Sequence, residues 1–514
     1  MANQSKARAD AYYQGALILS LLVGIAFRVY HLFIIGFEVP FNLGGLFYQM
    51  STEIIKNGFL LPASIPYYFP GGLPFAYPPL PFYIQAIIIK LFSPSPFFTV
   101  NALPPFFSIL SLVAFCFLAQ KVIQQKAGVV GAVFTFSIIP IAFSEQIEAM
   151  GLAESAGTLF LTLYLLSLVW AINAQQKIQW IVPGISLGLC ILSSPGSIYA
   201  STLISILLLG ISIKRILVEK DFSLLTGCFI TGAVGLMASS PYWLNVIAHH
   251  GIGIYFNTFS AQNSNLLQLF ATRAQELQLI QASPYWNILF LFGFLSAFIK
   301  RQYLLILFSM AFMLMPREFW IMSIPASLLA GYGIITLLDL LSSIPIANTN
   351  HLKVAVIWTM ILFFVIDSSF SLRYMIDDVS YDISETQINE LTQINRLNLI
   401  PEDEFVVASG NWGLIEWSPA ILERTVINNP FGLEWLPDRN RVILHLNETL
   451  PQSNDPDSIL SGIREAFNGI NQVYIIANKS QLDELDNAPG GKTAVFETIQ
   501  EFEDLGVGLL TVLK

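Results

Sequence analysis

The sequence is poor in charged residues and in cysteine. Only 12% of its 514 residues are charged, whereas 54% are hydrophobic, and a soluble domain usually has about 25% charged residues. The three cysteines lie in apolar segments, so the sequence has no disulfide framework and no metal-binding cysteine spacing. The net charge of −10 comes mostly from acids after residue 370, which argues against nucleic acid as a partner. The composition therefore predicts an integral membrane protein.

The apolar segments predict an α-helical polytopic membrane protein with about 11 transmembrane helices. A first span at 15–35 is long enough to cross a bilayer. Lysines and arginines then fall in alternate short loops, as the positive-inside rule requires, provided that segment 80–92 lies at the outer interface without crossing. The N-terminus is then cytoplasmic and the C-terminus lies outside the plasma membrane. The ten further spans are predicted at roughly 97–120, 127–143, 154–172, 178–194, 198–213, 223–240, 285–299, 302–316, 319–341 and 352–370.

The composition divides the chain into two domains. Residues 1–373 form the predicted transmembrane domain, with a first outer loop at 36–96, and residues 374–514 form a predicted extracytoplasmic α/β domain. In the second domain, short β-rich runs alternate with helical patterns. The strands are predicted at 404–409, 425–428, 472–476 and 506–513, and the helices at 384–396, 457–467 and 492–503.

Carboxylates cluster at the predicted outer face. Glu38 lies in the first loop, Glu148 in the second, and Glu154 at the start of the helix that follows. A carboxylate at the end of a membrane span costs free energy unless it faces water or a partner, so these residues are candidates for a functional site. The alternative for Glu154 is a favourable interaction with the dipole at a helix N-terminus.

Arg317 and Glu318 interrupt an apolar stretch at 303–341. A guanidinium group at the membrane surface suits a phosphate or pyrophosphate. The alternative is an ion pair between Arg317 and an outer-loop glutamate. Arg28, near the outer end of the first span, also has two interpretations: an anchor at the lipid headgroups, or a contact with a phosphate.

Aromatic residues are frequent in the first loop. Tyr67, Tyr68 and Tyr77 are predicted to line a passage for a prenyl chain or a sugar, although aromatic belts at membrane interfaces also occur without a ligand. The adjacent His249 and His250 lack an acid or cysteine at ligand spacing, so no metal site is predicted there. No cofactor is certain, and carboxylates in the outer loops leave a divalent cation, Mg²⁺ or Mn²⁺, open.

Three segments of the membrane half carry a resemblance to a known family. They are FAYPPLPFY at 75–83, the acidic second loop that runs into ESAGTLF at 154–160, and PREFWIMSIP at 316–325. In this order they resemble the GT-C-type membrane glycosyltransferases, which include the protein mannosyltransferases and the aminoarabinose transferases. Segments 416–419 and 432–435 are similar to the C-terminal region of some members. The resemblance implies transfer of a sugar from a polyprenyl-phosphate donor to a lipid, glycan or protein acceptor outside the membrane.

The resemblance also implies roles for single residues. In an inverting displacement, Glu38 would be the base or orient the acceptor, Glu148 and Glu154 would support it, and Arg317 would bind the phosphate. The sequence departs from the family in the first loop, where an aspartate normally precedes a helix that corresponds to 46–58. Asn42 stands near that position and Glu38 lies further upstream.

Two other functions are weighed against glycosyl transfer. If Asn42 replaces the usual carboxylate, the protein is a catalytically inactive GT-C-like structural or assembly subunit. A lipid or sugar transporter would need ionisable groups near mid-membrane and often an internal repeat, and the sequence shows neither. The Trp-Trp-Asp signature of oligosaccharyltransferases is absent, which argues against transfer of a preassembled oligosaccharide.

Overall fold

A computed structural model describes most of the chain: residues 2–174, 176–220, 222–255, 284–313, 319–343, 349–377, 383–436, 443, 447, 456–467, 470–487 and 494–512. The part before residue 378 is almost entirely helical. Its helices are α1 Ala2–Ile34, α2 Gly45–Lys56, α3 Leu80–Phe92, α4 Pro96–Val122, α5 Lys126–Ile138, α6 Ser144–Ile147, α7 Leu152–Ala174, α8 Ile181–Ile191, α9 Pro195–Glu219, α10 Ser223–His250, α11 Pro284–Ile299, α12 Tyr303–Met313, α13 Phe319–Ser343 and α14 Thr349–Asp377.

Within the described ranges, six helices are long and apolar enough to cross a membrane. A seventh span results if α5 and the segment Pro140–Ile147, which meet at a bend of 81°, are counted as one. The polytopic helical fold is therefore confirmed, while the count of eleven and the orientation stay predictions. The six spans are Ala11–Ile34, Phe97–Val122, Ala149–Asn173, Pro195–Val218, Ser223–His250 and Trp320–Leu341.

Arg28 is a structural residue inside the helical bundle. Its side chain is fully buried, and its Nε donates a hydrogen bond to the Ser108 hydroxyl at 2.9 Å. The two remaining guanidinium nitrogens donate to the carbonyl oxygens of Gly24, Ser137 and Phe136 at 3.0–3.1 Å. The Phe136 and Ser137 carbonyls lie at the end of α5, where a helix leaves its last carbonyls without intrahelical partners. Both interpretations of Arg28, as a headgroup anchor and as a phosphate ligand, are therefore wrong.

The first loop folds into a compact layer at one end of the bundle. It contains α2, a short hairpin of β1 Ser64–Ile65 and β2 Leu73–Pro74, and α3. The sequence-based prediction of a helix at 46–58 is confirmed by α2. With 13 residues, α3 is about 20 Å long, which is too short to span a bilayer. This length agrees with the prediction that segment 80–92 does not cross.

The C-terminal part is an α/β domain around a five-stranded sheet. The strand order is β4-β3-β5-β7-β6, in which β3 is parallel to β4 and β5 while β7 is antiparallel to β5 and β6. Its strands are β3 Phe405–Ala408, β4 Thr425–Val426, β5 Gln472–Asn478, β6 Ala494–Glu501 and β7 Leu505–Val512, and its helices are α15 Glu385–Arg396, α16 Trp412–Leu422, α17 Pro456–Ala466 and α18 Lys479–Asp486.

One secondary-structure prediction in this domain is wrong. Segment 492–503 was expected to be a helix, whereas Ala494–Glu501 is strand β6, paired with β7. Burial alternates along its first residues, from buried Ala494 to exposed Val495 to buried Phe496, which is the period of a strand. β-Branched and aromatic residues in this segment also favour a strand over a helix. The four predicted strands and the two other predicted helices of the domain are confirmed.

The α/β domain packs directly on the first loop and on α4. Buried Trp417 of α16 contacts the ring of Phe97 at 5.2 Å and that of Tyr48 at 6.3 Å, measured between ring centroids. At the surface, the Lys56 ammonium of α2 lies 3.0 Å from the Glu423 carboxylate. The first loop is therefore enclosed between the helical bundle and the α/β domain.

Candidate functional site

The chain that follows α1 is fixed at Phe41. The Asn101 side chain of α4 accepts a hydrogen bond from the Phe41 N–H at 2.9 Å and donates one to the Val39 carbonyl at 2.7 Å. The buried His31 ring stacks on the Phe41 ring with 5.0 Å between centroids. The Phe41 carbonyl accepts a hydrogen bond from the Ala149 N–H at 2.8 Å. The first and second loops therefore meet at this point through their backbones.

We call the place where the first and second loops meet, at Phe41 and Ala149, the loop crossing. Asn42 and Glu148 form its polar centre. The Asn42 Nδ2 donates a hydrogen bond to Glu148 Oε2 at 2.9 Å, and Asn42 Oδ1 accepts one from the Leu43 N–H at 2.9 Å. The second bond settles which end of the amide faces the carboxylate. Asn42 has a φ of +67°, a left-handed conformation that asparagine tolerates better than most residues. Two residues predicted for the site therefore lie in direct contact.

Glu154 contacts a different residue of the first loop. It lies in the first turn of α7, as the dipole interpretation expects, and its Oε1 accepts a hydrogen bond from the Tyr77 hydroxyl at 3.4 Å. The Tyr77 ring packs against Phe47 at 5.4 Å and against Trp435 of the α/β domain at 5.9 Å. The structure therefore brings Glu154 and Tyr77 together at an aromatic cluster to which both domains contribute.

Glu38, Tyr67 and Tyr68 have other surroundings. The Glu38 side chain is exposed and makes no hydrogen bond or ion pair with another described residue. The Tyr68 hydroxyl is buried and donates to the Glu416 carbonyl at 2.9 Å, and this burial raises its pKa well above the usual range. The Tyr67 ring lies under the Lys56 ammonium, 5.9 Å from the nitrogen to the ring centroid. Both tyrosines thus lie where the first loop meets the α/β domain.

Arg317 and Glu318 lie outside the described residues, on the connection between α12 and α13. The described start of α13 lies close to α7. Trp320 is buried, and a Cβ built on Gly157 would be 3.3 Å from its indole ring. Gly157 follows Glu154 by about one turn of helix. Trp320, the second residue of α13, therefore contacts α7 about one turn from Glu154.

A cavity of about 600 Å³ lies beside the Tyr77 segment. It is bounded by residues 57–61, which follow α2, by the start of α3 and by the C-terminal half of α10. Tyr242 of its wall donates a hydrogen bond to the Ala76 carbonyl at 2.6 Å, which ties α10 to the residue before Tyr77. The walls are mainly apolar, with a few polar groups. The lining residues are Asn57, Phe59, Leu60, Leu61, Pro79, Leu80, Tyr83, Leu192, Ala238, Pro241, Tyr242, Asn245 and His249.

The donor set at the loop crossing does not suit a divalent cation. Mg²⁺ and Mn²⁺ prefer oxygen ligands, whereas the group that faces the Glu148 carboxylate is the Asn42 amide N–H, a hydrogen-bond donor. In the described part of the chain, no three histidine, cysteine, aspartate or glutamate side chains are grouped so that they could hold a metal ion.

One residue that joins the α/β domain to the first loop is not among the site residues predicted from the sequence. Glu416 of α16 is 2% exposed, and its carboxylate reaches the N-terminus of α2 in the first loop. Burial raises the pKa of this carboxyl group, and the backbone N–H groups that it accepts from act in the opposite direction because they stabilise the anion. The sequence signal was a glutamate among apolar residues, which does not reveal a distant partner.

Comparisons with known proteins agree with this architecture. Residues 76–244 match the family of dolichyl-phosphate-mannose-protein mannosyltransferases. No curated protein matches the sequence. The fold is similar to AglB, the archaeal oligosaccharyltransferase of Archaeoglobus fulgidus solved with an inhibitory peptide and a dolichol-phosphate, with a TM-score of 0.58 and 14% identity over 91% of this chain and 69% of that one.

Two further solved structures have a similar fold. ArnT from Cupriavidus metallidurans bound to undecaprenyl phosphate has a TM-score of 0.55 and 11% identity, with 96% of this chain and 98% of that chain covered. The arabinofuranosyltransferase AftD from Mycobacteria has a TM-score of 0.58 and 12% identity, with 98% of this chain and 41% of that chain covered. The chain therefore has the fold of the GT-C-type membrane glycosyltransferases, and the resemblance seen in the sequence is confirmed.

Proposed function

We propose that this protein is a glycosyltransferase that moves a sugar from a polyprenyl-phosphate-linked donor to an acceptor at the outer face of the membrane. The observation that carries the proposal is the 2.9 Å hydrogen bond between Asn42 and Glu148, because it joins the first two outer loops around a carboxylate. The GT-C fold supports the general reaction, and two of the similar structures were solved with a polyprenyl phosphate or dolichol-phosphate.

The chemistry is an inverting displacement at the anomeric carbon. The acceptor oxygen attacks this carbon while its proton passes to a carboxylate, and the bond to the phosphate oxygen breaks with its electron pair leaving on the polyprenyl phosphate. Glu148 suits the role of base because Asn42 holds it in one orientation. The exposed Glu38 is the alternative base or acceptor-orienting group, and Glu154 orients the substrate from the aromatic cluster around Tyr77.

Arg317 is the proposed phosphate ligand, with Glu318 beside it. The support is the contact of Trp320 with α7 at Gly157, which keeps the start of α13 near Glu154. A guanidinium group in that region would stabilise the negative charge that builds on the departing phosphate.

The cavity between α2, α3 and α10 is a candidate site for the isoprenoid chain of the donor. Its apolar walls suit a hydrocarbon chain, and its polar groups, such as Asn57 and His249, suit the end of the chain nearest the head group. Tyr242 and Pro79 place this cavity next to the segment of Tyr77, which contacts Glu154. A chain in the cavity would therefore end near a candidate site carboxylate.

A second function, that of a catalytically inactive GT-C-like subunit, is favoured by one observation. The group that faces Glu148 is an amide where the family resemblance implies a carboxylate. In that case the α/β domain, which packs on the first loop, would be the part that binds a partner.

The test is sugar transfer from radiolabelled polyprenyl-phosphate donors by the purified full-length protein in lipid nanodiscs. The variants are Glu148→Gln, Glu154→Gln, Glu38→Gln and Arg317→Ala. We expect Glu148→Gln and Arg317→Ala to lower the turnover number by at least about a hundredfold, the size usual for the loss of a base or a charge-stabilising group.

The matched control is Glu402→Gln, which removes an exposed carboxylate of the α/β domain and should leave turnover unchanged. Turnover that survives Glu148→Gln but not Glu38→Gln would move the base to Glu38. If the well-folded wild type transfers no sugar from any donor tested, the result would contradict the proposed glycosyltransferase activity and support the inactive subunit.

A further inference from the structure

The N-terminus of α2 is capped by a carboxylate from the other domain. Glu416 Oε2 accepts hydrogen bonds from the N–H groups of Gly44 at 3.0 Å and Gly45 at 2.6 Å, and Oε1 accepts one from Leu46 at 2.7 Å. The first N–H groups of a helix have no intrahelical acceptors, and the positive end of the helix dipole favours an anion. A single buried side chain therefore satisfies three consecutive donors of the first loop.

The fit around this cap is close on both sides. A Cβ on Gly45 would lie 2.9 Å from both the Glu416 carbonyl oxygen and Oε2, and a Cβ on Gly44 would lie 2.8 Å from the Ala149 Cβ. The Tyr68 hydroxyl also donates to the Glu416 carbonyl. The two glycines thus allow α16 and the second loop to approach the start of α2 from opposite sides.

The capped residues are continuous with those of the candidate site. Phe41 bonds to Ala149, and Asn42 bonds to Glu148. Two residues further on, Gly44–Leu46 bond to Glu416. The α2 end of this segment is therefore held by polar contacts from the α/β domain, while Leu46 also packs in an apolar cluster with residues of the bundle. If this contact is lost, the hydrogen bonds described above that tie the segment to other parts of the chain are those of Phe41 and Asn42.

We propose that Glu416 is a positioning residue, through which the C-terminal α/β domain holds the Asn42 segment against Glu148 and so completes the candidate site. This inference rests on the proposed function for its catalytic consequence, but its structural part stands by itself. A plain helix cap would affect only α2, whereas a positioning residue must also affect the crossing of the two loops.

The test combines amide hydrogen exchange with sugar transfer in the full-length protein. In Glu416→Ala and in Glu416→Gln, which keeps the side-chain volume, we expect exchange at Gly44–Leu46 to rise by at least about tenfold. We expect the same rise at two further N–H groups: that of Leu43, which bonds to the Asn42 side chain, and that of Ala149, which bonds to the Phe41 carbonyl of the first loop. Glu416→Asp should restore part of the protection, because it keeps the anion.

The matched control is Glu423→Ala. It removes the exposed ion pair to Lys56 on the same helix α2, and exchange at the crossing should not change. Faster exchange at Gly44–Leu46 without any change at Leu43 and Ala149 would overturn the positioning role and leave a simple cap.

The kinetic arm uses the same variants. We expect the turnover number of Glu416→Gln to fall by about tenfold or more while the KM for the donor stays within about twofold, since the contact orients a loop and does not touch the donor. Unchanged turnover would also overturn the proposal. If the wild type transfers no sugar, the proposed function fails, and exchange at Leu43 and Ala149 still decides whether Glu416 positions the loop.

Discussion

Replacement of Asn42 by aspartate tests the centre of the candidate site most directly. The Asn42 Nδ2 lies 2.9 Å from Glu148 Oε2, and aspartate would put a carboxylate oxygen in its place. With an effective dielectric constant of about 20, two unit charges at this distance repel each other by about 6 kcal/mol. This energy is too large for both groups to be ionised without compensation. Asn42→Asp should therefore retain a proton between the two carboxyl groups or bind a divalent cation there.

The assay is Mn²⁺ binding followed by electron paramagnetic resonance, on the wild type and Asn42→Asp in nanodiscs. We expect the variant to gain a site that the wild type lacks, and to lose it again in the double variant with Glu148→Gln. Asn487→Asp serves as the control, because it adds a carboxylate at an exposed helix end of the α/β domain.

Equal Mn²⁺ binding and equal thermal stability of wild type and Asn42→Asp at neutral pH would refute the reasoning. That result would mean that residues 42 and 148 are not in contact in the protein in solution. If Asn42→Asp also gains sugar transfer that depends on Mn²⁺, the wild-type amide is what keeps the protein inactive.

Three further predictions concern stability and the cavity beside the Tyr77 segment. Gly45→Ala should destabilise the protein by about 1–3 kcal/mol, because the new Cβ would collide with Glu416. The measurement is the unfolding temperature in detergent, which should fall. In the control Gly232→Ala the new Cβ meets open space, so the unfolding temperature should not fall. Arg28→Met should cost about 1–3 kcal/mol by the same measurement, because it leaves the buried carbonyl groups at the end of α5 without this donor. An unchanged unfolding temperature would contradict the structural role. Asn245→Trp fills the cavity from α10 and should raise the KM for a long-chain donor by roughly tenfold, and an unchanged KM would place the chain elsewhere.

Much of the architecture was predictable because it follows from local properties of the chain. A low content of charge and long apolar runs identify membrane helices, since each residue in a bilayer contributes its own transfer free energy. The helix of the first loop and the four predicted strands of the α/β domain follow from length and periodicity in the same way. Strand β6 was missed because its charged and amide residues resemble those of a surface helix, and its pairing with β7 decided the outcome.

The candidate site was predictable only in its parts. The sequence identified Glu148, Glu154 and Asn42 as unusual residues at the predicted membrane face, because polar groups there need a reason to be present. It did not reveal that Asn42 contacts Glu148, because five helices, α2 to α6, separate these two residues in the chain. The sequence also predicted Arg28 at the lipid surface, whereas helix packing buries this side chain against carbonyl groups at the end of α5.

The sequence by itself therefore determined the class of protein, most of the helices and strands, and the kinds of residue available for chemistry. Only the tertiary structure decided which of them meet, since a contact between distant residues depends on how whole helices pack and not on the composition near either residue. Glu416 illustrates the difference. In the sequence it is one glutamate among apolar residues, and in the folded protein it is the acceptor for three N–H groups of the first loop.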